Sequence, residues 1–351
     1  MDELTRHGNE ETGSMDELTR HGNEEVFRRV RLAPRVMVDV SGVSTSTHIL
    51  GFPTAAPLYV SGAAKGGLAD PSAEVGLARA CHARGILQMA PHLATKTLDE
   101  IAAARQRGQE QFLQIYVEKD RLASEATFRR AERLGFGALF VTVDSAGVGK
   151  RETDLRLTPG GSAPRSIATK RRWADDLCWD DVPLMRQWTS LPIILKGIQT
   201  GADALLAFRA GVDGIVVSNH GGRNMDTARP SLEVLVEVMA ALRAEKEYDA
   251  STFPVFLDSG VRRGQDIFKA LALGAAAVGI GRPALFGLAA YGQAGAEKVL
   301  EILMDEFTST MQFMGCKSLG DISPAHLRGV DSLATWPWDT SRDKLSTISM
   351  L

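Results

Sequence analysis

Eight short apolar runs, each closed by polar or glycine residues, recur along this chain. Between most of them lie stretches with helical periodicity, such as "DPSAEVGLARACHARG" and "GADALLAFRAG", and both of these end in glycine, as helices commonly do. Eight strands alternating with helices predict an α/β fold, a single (β/α)8 TIM barrel. Two doubly wound halves are the alternative, but no linker divides the chain into halves. The predicted strands are residues 57–62, 86–91, 111–117, 138–144, 192–197, 214–220, 255–260 and 277–282.

Two segments depart from the regular alternation. Residues 145–190 are too long for an ordinary crossover and contain "TPGGSAPRSIATKRR", which predicts a long loop after strand four that covers the barrel mouth as a lid. Residues 296–315 carry a Met and Leu stripe that predicts a C-terminal helix packed against the core. We therefore expect a polar N-terminal tail (1–25), the barrel (26–320) and a C-terminal tail (321–351).

The N-terminal tail contains a duplication. The sequence "MDELTRHGNEE" occurs at residues 1–11 and again at 15–25. A solenoid would repeat many times and carry apolar anchors in each unit, and this duplication does neither. We expect the first copy to be a surplus, mobile tail.

The charge and cysteine content argue against several classes of protein. A net charge of −3 over 351 residues gives no electrostatic footprint for nucleic acid or an anionic membrane. Cys81, Cys178 and Cys316 are scattered without metal-ligand spacing, so we expect no metal site and a reducing compartment. No apolar run approaches the ~20 residues of a membrane span, and the acidic, polar amino terminus is unlike a secretory signal. We expect a soluble protein of the cytoplasm.

Nearly every predicted strand ends in polar side chains, which a barrel does not need for its stability. In such a barrel these side chains converge on one mouth. A lone buried histidine is more often a satisfied core residue, but His220 would share its face with an arginine, a lysine and two aspartates. These charged neighbours favour a functional role for His220. The polar strand ends include Ser61, Gln114, Tyr116, Thr142, Asp144, Lys196, Ser218, His220, Asp258 and Arg282.

The last two strand ends predict a phosphate site. "DSGVRRG" (258–264) and "GIGR" (279–282) follow strands seven and eight, where these barrels commonly bind phosphate. Their glycines let backbone N–H groups approach the oxygens, and Arg262 or Arg282 supplies charge-assisted hydrogen bonds. A phosphorylated cofactor or substrate is therefore expected. No dinucleotide fingerprint follows an early strand, so a nicotinamide cofactor is not indicated.

Lys196 has three interpretations on these grounds. It could form a Schiff base, as in aldolases, or an ion pair, or it could stabilise negative charge on a cofactor ring. Its spacing from the other strand ends does not decide between them.

The stretch "SNHGGRNMD" (218–226) resembles the signature of the FMN-dependent 2-hydroxy-acid oxidase and dehydrogenase family, Ser-Asn-His-Gly-Gly-Arg followed by Gln-Leu-Asp. The resemblance continues through "FVTVDSAGVGKRETD", "LKGIQTGADA", "DSGVRRGQDIFKALALGA" and "VGIGRPALFG", and covers residues from about 15 to 320. The family includes glycolate oxidase, L-lactate dehydrogenase and the flavin domain of flavocytochrome b2. It implies an FMN-binding barrel that oxidises a small-molecule L-2-hydroxy acid to the 2-oxo acid.

The resemblance assigns catalytic and substrate-binding roles to matching residues. His220 would be the base that takes the substrate proton, and Asp144 would hydrogen-bond its imidazole and stabilise the protonated form. Arg223 and the mobile Arg151 would bind the substrate carboxylate. Tyr116 would hydrogen-bond the substrate.

The resemblance also assigns a cofactor site. Lys196 would lie near the flavin N1 and stabilise negative charge on the ring. The other members of this site would pack against the ring or bind the ribityl chain and phosphate. They are Gly62, Ala63, Ala64, Gln114, Thr142, Ser218, Asp258, Ser259, Gly260, Val261, Arg262, Gly281 and Arg282.

Four features depart from the family pattern. The family usually supplies another active-site tyrosine from a helical segment before the barrel, and no tyrosine precedes Tyr59 here. We therefore expect the substrate carboxylate to lose one hydrogen bond. Pro91 stands where a serine is usual, Ser259 replaces the first glycine of Asp-Gly-Gly, and Lys65 replaces an apolar residue. A catalytically impaired FMN-binding member and a Schiff-base aldolase using Lys196 are the competing interpretations.

Further expectations come from the family as a whole. No His-Pro-Gly-Gly haem-binding pattern precedes the barrel, so electrons would pass to oxygen or an external acceptor. The family commonly forms tetramers, which implies a homo-oligomer. The closing tripeptide "SML" has a faint likeness to a peroxisomal address.

Overall fold

The computed structural model describes residues 13–147, 149–152, 172–330 and 333. Eight parallel strands within them close into a barrel, in which each strand pairs with the next and the last pairs with the first. This confirms the predicted (β/α)8 fold and all eight strands. The barrel strands are β4 (Leu58–Val60), β5 (Leu87–Pro91), β6 (Gln111–Ile115), β7 (Leu139–Thr142), β8 (Ile193–Ile198), β9 (Gly214–Val217), β10 (Val255–Leu257) and β11 (Ala277–Ile280).

Helices surround the barrel. In the described part of the chain the helices are α1 (Leu18–Arg29), α2 (Ala73–Ala83), α3 (Leu98–Ala103), α4 (Arg121–Arg133), α5 (Val182–Trp188), α6 (Gly201–Arg209), α7 (Ser231–Ala244), α8 (Gly264–Leu273) and α9 (Arg282–Phe313). The two stretches with predicted helical periodicity form α2 and α6. None of them is both long and apolar enough to cross a membrane.

The predicted C-terminal helix is the second half of α9. Non-helical backbone angles at Tyr291 and Gly292 divide α9 into two segments, and the second runs to Phe313. Its buried side chains include Leu300, Leu303, Phe307 and Met311, so the stripe packs on the core as predicted.

In the described part of the chain, two further strand pairs lie outside the barrel. Strand β1 (Arg31–Leu32) pairs with β12 (Leu327–Arg328), and β2 (Thr47–Ile49) pairs with β3 (Phe52–Thr54). The β2–β3 hairpin packs Ile49, Leu50 and Phe52 against the aromatic cluster inside the barrel. Rings such as those of Tyr59, Phe112, Phe140 and Phe256 fill that interior.

The second copy of the duplicated sequence takes part in the fold. Residues 18–25 belong to α1, which packs against α7 and the loop after β9. The expected boundary at residue 25 therefore falls inside a helix, and the division into three regions stays a prediction. The first copy lies outside the described residues, and so do residues 153–171 of the predicted lid.

Candidate active site

A cavity of about 740 Å³ opens at the ends of the barrel strands. Its size is within the range of small-molecule and cofactor sites. Most of the site residues predicted from sequence line it, whereas Asp144 and Ser218 lie behind its wall, in contact with lining residues. The predicted residues that line it are Gly62, Ala63, Ala64, Gln114, Tyr116, Thr142, Arg151, Lys196, His220, Arg223, Asp258, Ser259, Gly260, Val261, Arg262, Gly281 and Arg282.

His220 and Asp144 form a hydrogen-bonded pair. Nδ1 of His220 lies 2.8 Å from Oδ1 of Asp144, and the two side chains are 20% and 2% exposed. Burial lowers the pKa of His220 below its usual value, although the Asp144 carboxylate opposes this shift. Burial alone would raise the pKa of Asp144, but its interactions with His220, including their hydrogen bond, and the Lys196 charge outweigh burial and lower that pKa. The pair therefore combines a neutral imidazole with an ionised carboxylate near pH 7, which leaves Nε2 able to accept a proton.

Local sequence features fix Asp144 behind the histidine. Gly197 has a φ of +116°, and a Cβ there would lie 2.5 Å from the Cβ of Asp144, so only glycine allows this approach. The amide of Asn224 donates to the main-chain oxygen of Asp144 at 2.8 Å, and Ser145 donates to Oδ1 at 3.2 Å. These contacts hold the carboxylate toward the imidazole.

His220 lies in an unusual turn. His220, Gly221 and Gly222 have φ values of +58°, +68° and +73°, all in the left-handed region. The two glycines adopt this conformation without a side-chain clash, which accounts for "HGG" in the sequence. A Cβ at Gly222 would lie 2.7 Å from the backbone nitrogen of Arg20, so α1 packs directly on the turn.

Lys196 is buried in a network with Asp258 and Ser218. Its Nζ lies 3.1 Å from Oδ2 of Asp258 and donates to the Ser218 hydroxyl at 3.1 Å. Burial lowers the pKa of Lys196, but the carboxylates of Asp258 and Asp144 more than offset this and raise it. A Schiff base requires a neutral amine, so this environment disfavours the aldolase interpretation. The ion pair keeps a positive charge at the cavity wall.

Gln114 and Thr142 form a polar pair on the same wall. The amide of Gln114 donates to the Thr142 hydroxyl at 2.9 Å, and its oxygen accepts from the backbone N–H of His92 at 3.2 Å. A Cβ at Gly62 would lie 2.8 Å from that of Gln114, so glycine permits the close approach of the two strand ends.

Tyr116 is held by aromatic neighbours. Its ring stacks on Trp173, with centroids 5.0 Å apart, and on His92 at 6.3 Å. Burial, with the nearby Asp144 charge, raises the pKa of Tyr116 to about 12. The phenol is therefore protonated at neutral pH and able to donate a hydrogen bond into the cavity.

Two arginines approach from the same side. Arg223 follows the His220 turn, and Nε of Arg151 lies 3.5 Å from the main-chain oxygen of Arg223. Both line the cavity. Two guanidinium groups beside a histidine are suited to a carboxylate, which accepts paired N–H donors.

Another part of the cavity wall is suited to a phosphate. Helix α9 begins at Arg282, and Gly281 at its N-cap forms no side-chain capping bond. A Cβ on Gly281 would meet nothing within 4 Å, so open space adjoins the backbone at the start of α9. At the N-terminus of α8, by contrast, Asp266 accepts from the N–H groups of Arg262 and Arg263 at 3.0 and 2.9 Å. The N-terminus of α9 is thus the better anion site.

Comparison with known proteins identifies the family. The family model of the FMN-dependent dehydrogenases matches residues 9–329 of this chain. The chain belongs to the FMN-dependent dehydrogenase family.

Characterised members of the family resemble this chain over most of its length. The peroxisomal (S)-2-hydroxyacid oxidase GLO3 of Arabidopsis thaliana is 41% identical over 321 residues, 86% of each chain. The glycolate oxidase of Spinacia oleracea is 38% identical, over 90% of this chain and 88% of its own. A solved flavocytochrome b2 with an arginine-to-lysine substitution superposes with a TM-score of 0.87 at 34% identity, covering 100% of this chain and 89% of the other.

The cavity fits the family cofactor, FMN. Its wall combines the buried ammonium of Lys196 with the Gln114–Thr142 pair, a donor set suited to the polar edge of a flavin ring. The N-terminus of α9 with Arg282 would hold the phosphate. Gly62, Ala63 and Ala64 leave the adjacent wall small enough to accept a flat ring.

Sequence reasoning missed several residues of this dehydrogenase site. His92 accepts a hydrogen bond from the Tyr116 backbone N–H at 3.1 Å through Nδ1, and burial lowers its pKa to about 4. It directly follows β5, so the strand-end rule would have found it. Asn224 holds Asp144, and it stands at the position where the family signature has glutamine. The contact between Asn23 and Asn219 had no sequence signal because it joins residues 196 positions apart.

Proposed function

We propose that this protein oxidises an L-2-hydroxy acid to the 2-oxo acid, with FMN as the electron acceptor in the cavity. The observation that carries the proposal is the His220–Asp144 pair beside the buried ammonium of Lys196. A base, a cation and two arginines at one mouth match what removal of a proton and two electrons from a hydroxy acid requires.

His220 acts as the base. Its lowered pKa keeps the imidazole neutral at pH 7, so Nε2 takes the proton from the substrate, while Nδ1 stays bonded to Asp144. The carboxylate of Asp144 stabilises the imidazolium that results. Bound FMN supplies the two-electron acceptor.

The other residues bind and orient the substrate. Arg223 and Arg151 hold its carboxylate, and the protonated phenol of Tyr116 donates a hydrogen bond to its polar groups. Lys196 keeps a positive charge at the wall, which stabilises negative charge that develops beside it. These roles follow from position in the cavity and from the family pattern.

The test is anaerobic mixing of the FMN-loaded protein with glycolate, L-lactate, L-mandelate and D-lactate while the flavin absorption is followed. Bleaching by an L-acid that His220→Ala abolishes supports the proposal. A protein that binds FMN but is bleached by none of these acids would contradict it and favour the impaired FMN-binding alternative. Readmission of oxygen then shows whether oxygen restores the band, which separates an oxidase from an enzyme that needs another acceptor.

We further propose a peroxisomal location and a homo-oligomer, the tetramer common in the family. The relative in Arabidopsis thaliana is named a peroxisomal enzyme, which supports the first of these. A fluorescent fusion that keeps residues 349–351 at its end tests location, and sedimentation equilibrium tests oligomeric state.

A further inference from the structure

Ser259 holds a backbone conformation that disfavours its own side chain. Its φ is +77°, in the left-handed region where glycine is normal and a residue with a Cβ is strained. The family pattern has glycine at this position. A strained serine that is also almost fully buried, at 9% exposure, calls for a compensating contact.

The hydroxyl of Ser259 supplies two such contacts. It donates to Oδ1 of Asp258 at 2.9 Å and accepts the backbone N–H of Gly221 at 2.9 Å. Asp258 is the carboxylate that pairs with Lys196, and Gly221 directly follows His220. A single side chain therefore connects the lysine network to the turn that carries the histidine.

The N–H groups of that turn have different acceptors. The N–H of Gly222 donates to the main-chain oxygen of Asn219 at 3.0 Å and to the side chain of Asn219 at 3.1 Å. The N–H of His220 donates to the Ser218 hydroxyl at 3.1 Å. The N–H of Gly221, between them, has Ser259 as its acceptor.

The geometry points to Ser259 as a positioning residue for His220. Its hydroxyl fixes the plane of the peptide that follows the histidine, and this holds the imidazole at hydrogen-bond distance from Asp144. The inference rests on the proposed role of His220 as base. It adds a consequence of having serine where the family has glycine. Ser259 gives up the conformational freedom of glycine, and its hydroxyl connects the histidine turn directly to the Lys196–Asp258 pair.

Two substitutions separate positioning from stability. Ser259→Gly removes the hydroxyl and relieves the strain, whereas Ser259→Ala removes the hydroxyl and keeps the strain. We expect both variants to lower the rate of anaerobic flavin reduction at saturating acid about 10-fold, with little change in the acid concentration for half-maximal rate. The glycine variant should have a thermal midpoint equal to or above that of the parent. A purely structural serine would instead make rate and thermal midpoint change together.

Matched measurements exclude other causes. Ser231→Ala removes another buried serine hydroxyl, one without a polar partner in the described chain, and should leave the rate unchanged. FMN affinity of each variant, measured by fluorescence titration, ensures that rates are compared at full loading. A glycine variant that reduces FMN at the parent rate would overturn the inference.

A second readout does not require turnover. The Nδ1 proton of His220, bonded to Asp144, should give a proton NMR signal in the resting protein that His220→Ala removes. We expect this signal to broaden or vanish in Ser259→Gly, and an unchanged signal would contradict positioning. If the parent reacts with no acid, the proposed function fails, and this signal still decides the role of Ser259.

Discussion

Asn23 and Asn219 exchange two side-chain hydrogen bonds, at 2.8 and 2.7 Å, and so join helix α1 to the residue before His220. Both side chains are buried, and Asn23 also accepts the backbone N–H of Ser231 at 3.2 Å. The second copy of the duplicated sequence is thereby part of the support of the active site.

Asn23→Ala should lower the free energy of unfolding by about 2 kcal/mol, because it removes both hydrogen bonds between the two buried amides. Urea unfolding measures this. Asn9 has the same neighbours in the first copy, so Asn9→Ala is a matched control that should leave stability unchanged. Equal losses in the two variants would contradict the assignment of the contact to the second copy alone.

Asp144→Asn should lower the rate of flavin reduction about 100-fold, since the imidazolium formed at His220 loses its anionic partner. The Asp144 charge raises the pKa of His220, so its removal should shift the acid limb of the pH profile to lower pH. Stopped-flow reduction across pH 5–9 measures both effects. A limb that moves to higher pH would contradict this account of the pair.

Lys196→Met should lower the free energy of unfolding by about 3 kcal/mol, because it leaves the carboxylate of Asp258 buried without a cation. Asp258→Asn in the same chain should recover part of this loss. Denaturant unfolding of both single variants and the double variant completes the cycle. Additive losses would show that the two groups do not interact.

His92 should make stability depend on pH. Its pKa is about 4 in the folded protein, whereas an unfolded imidazole takes up a proton near pH 6.5. The unfolded state therefore binds more protons between these values, and the free energy of unfolding should fall by about 2–3 kcal/mol as pH drops from 6.5 to 4. His92→Gln keeps an acceptor for the Tyr116 N–H but does not titrate, so its curve should be flatter. Identical curves would contradict this prediction.

Periodicity and strand-end chemistry were sufficient to predict the barrel and the polar side chains at its mouth, whereas other cavity residues, such as Arg151 and Arg223, were predicted from the family resemblance. Each strand buries apolar residues such as those of "GIVV" and then ends in polar ones, and this pattern depends only on local sequence. The left-handed turn at His220 and the contact of Ser259 with Gly221 were not predictable in this way. They depend on the relative position of loops 38 residues apart in sequence, which only the closed barrel determines.

The central claim is that His220, held by Asp144, is the base that takes the substrate proton. The most direct measurement is the rate of anaerobic flavin reduction by the best L-2-hydroxy acid, for the parent and for His220→Ala, from pH 5 to 9. We predict that the parent rate rises with pH through a limb below pH 6.5, where His220 loses its proton, and that the variant is slower by about 1,000-fold and lacks this limb. A variant that keeps the rate or the limb of the parent would contradict the claim.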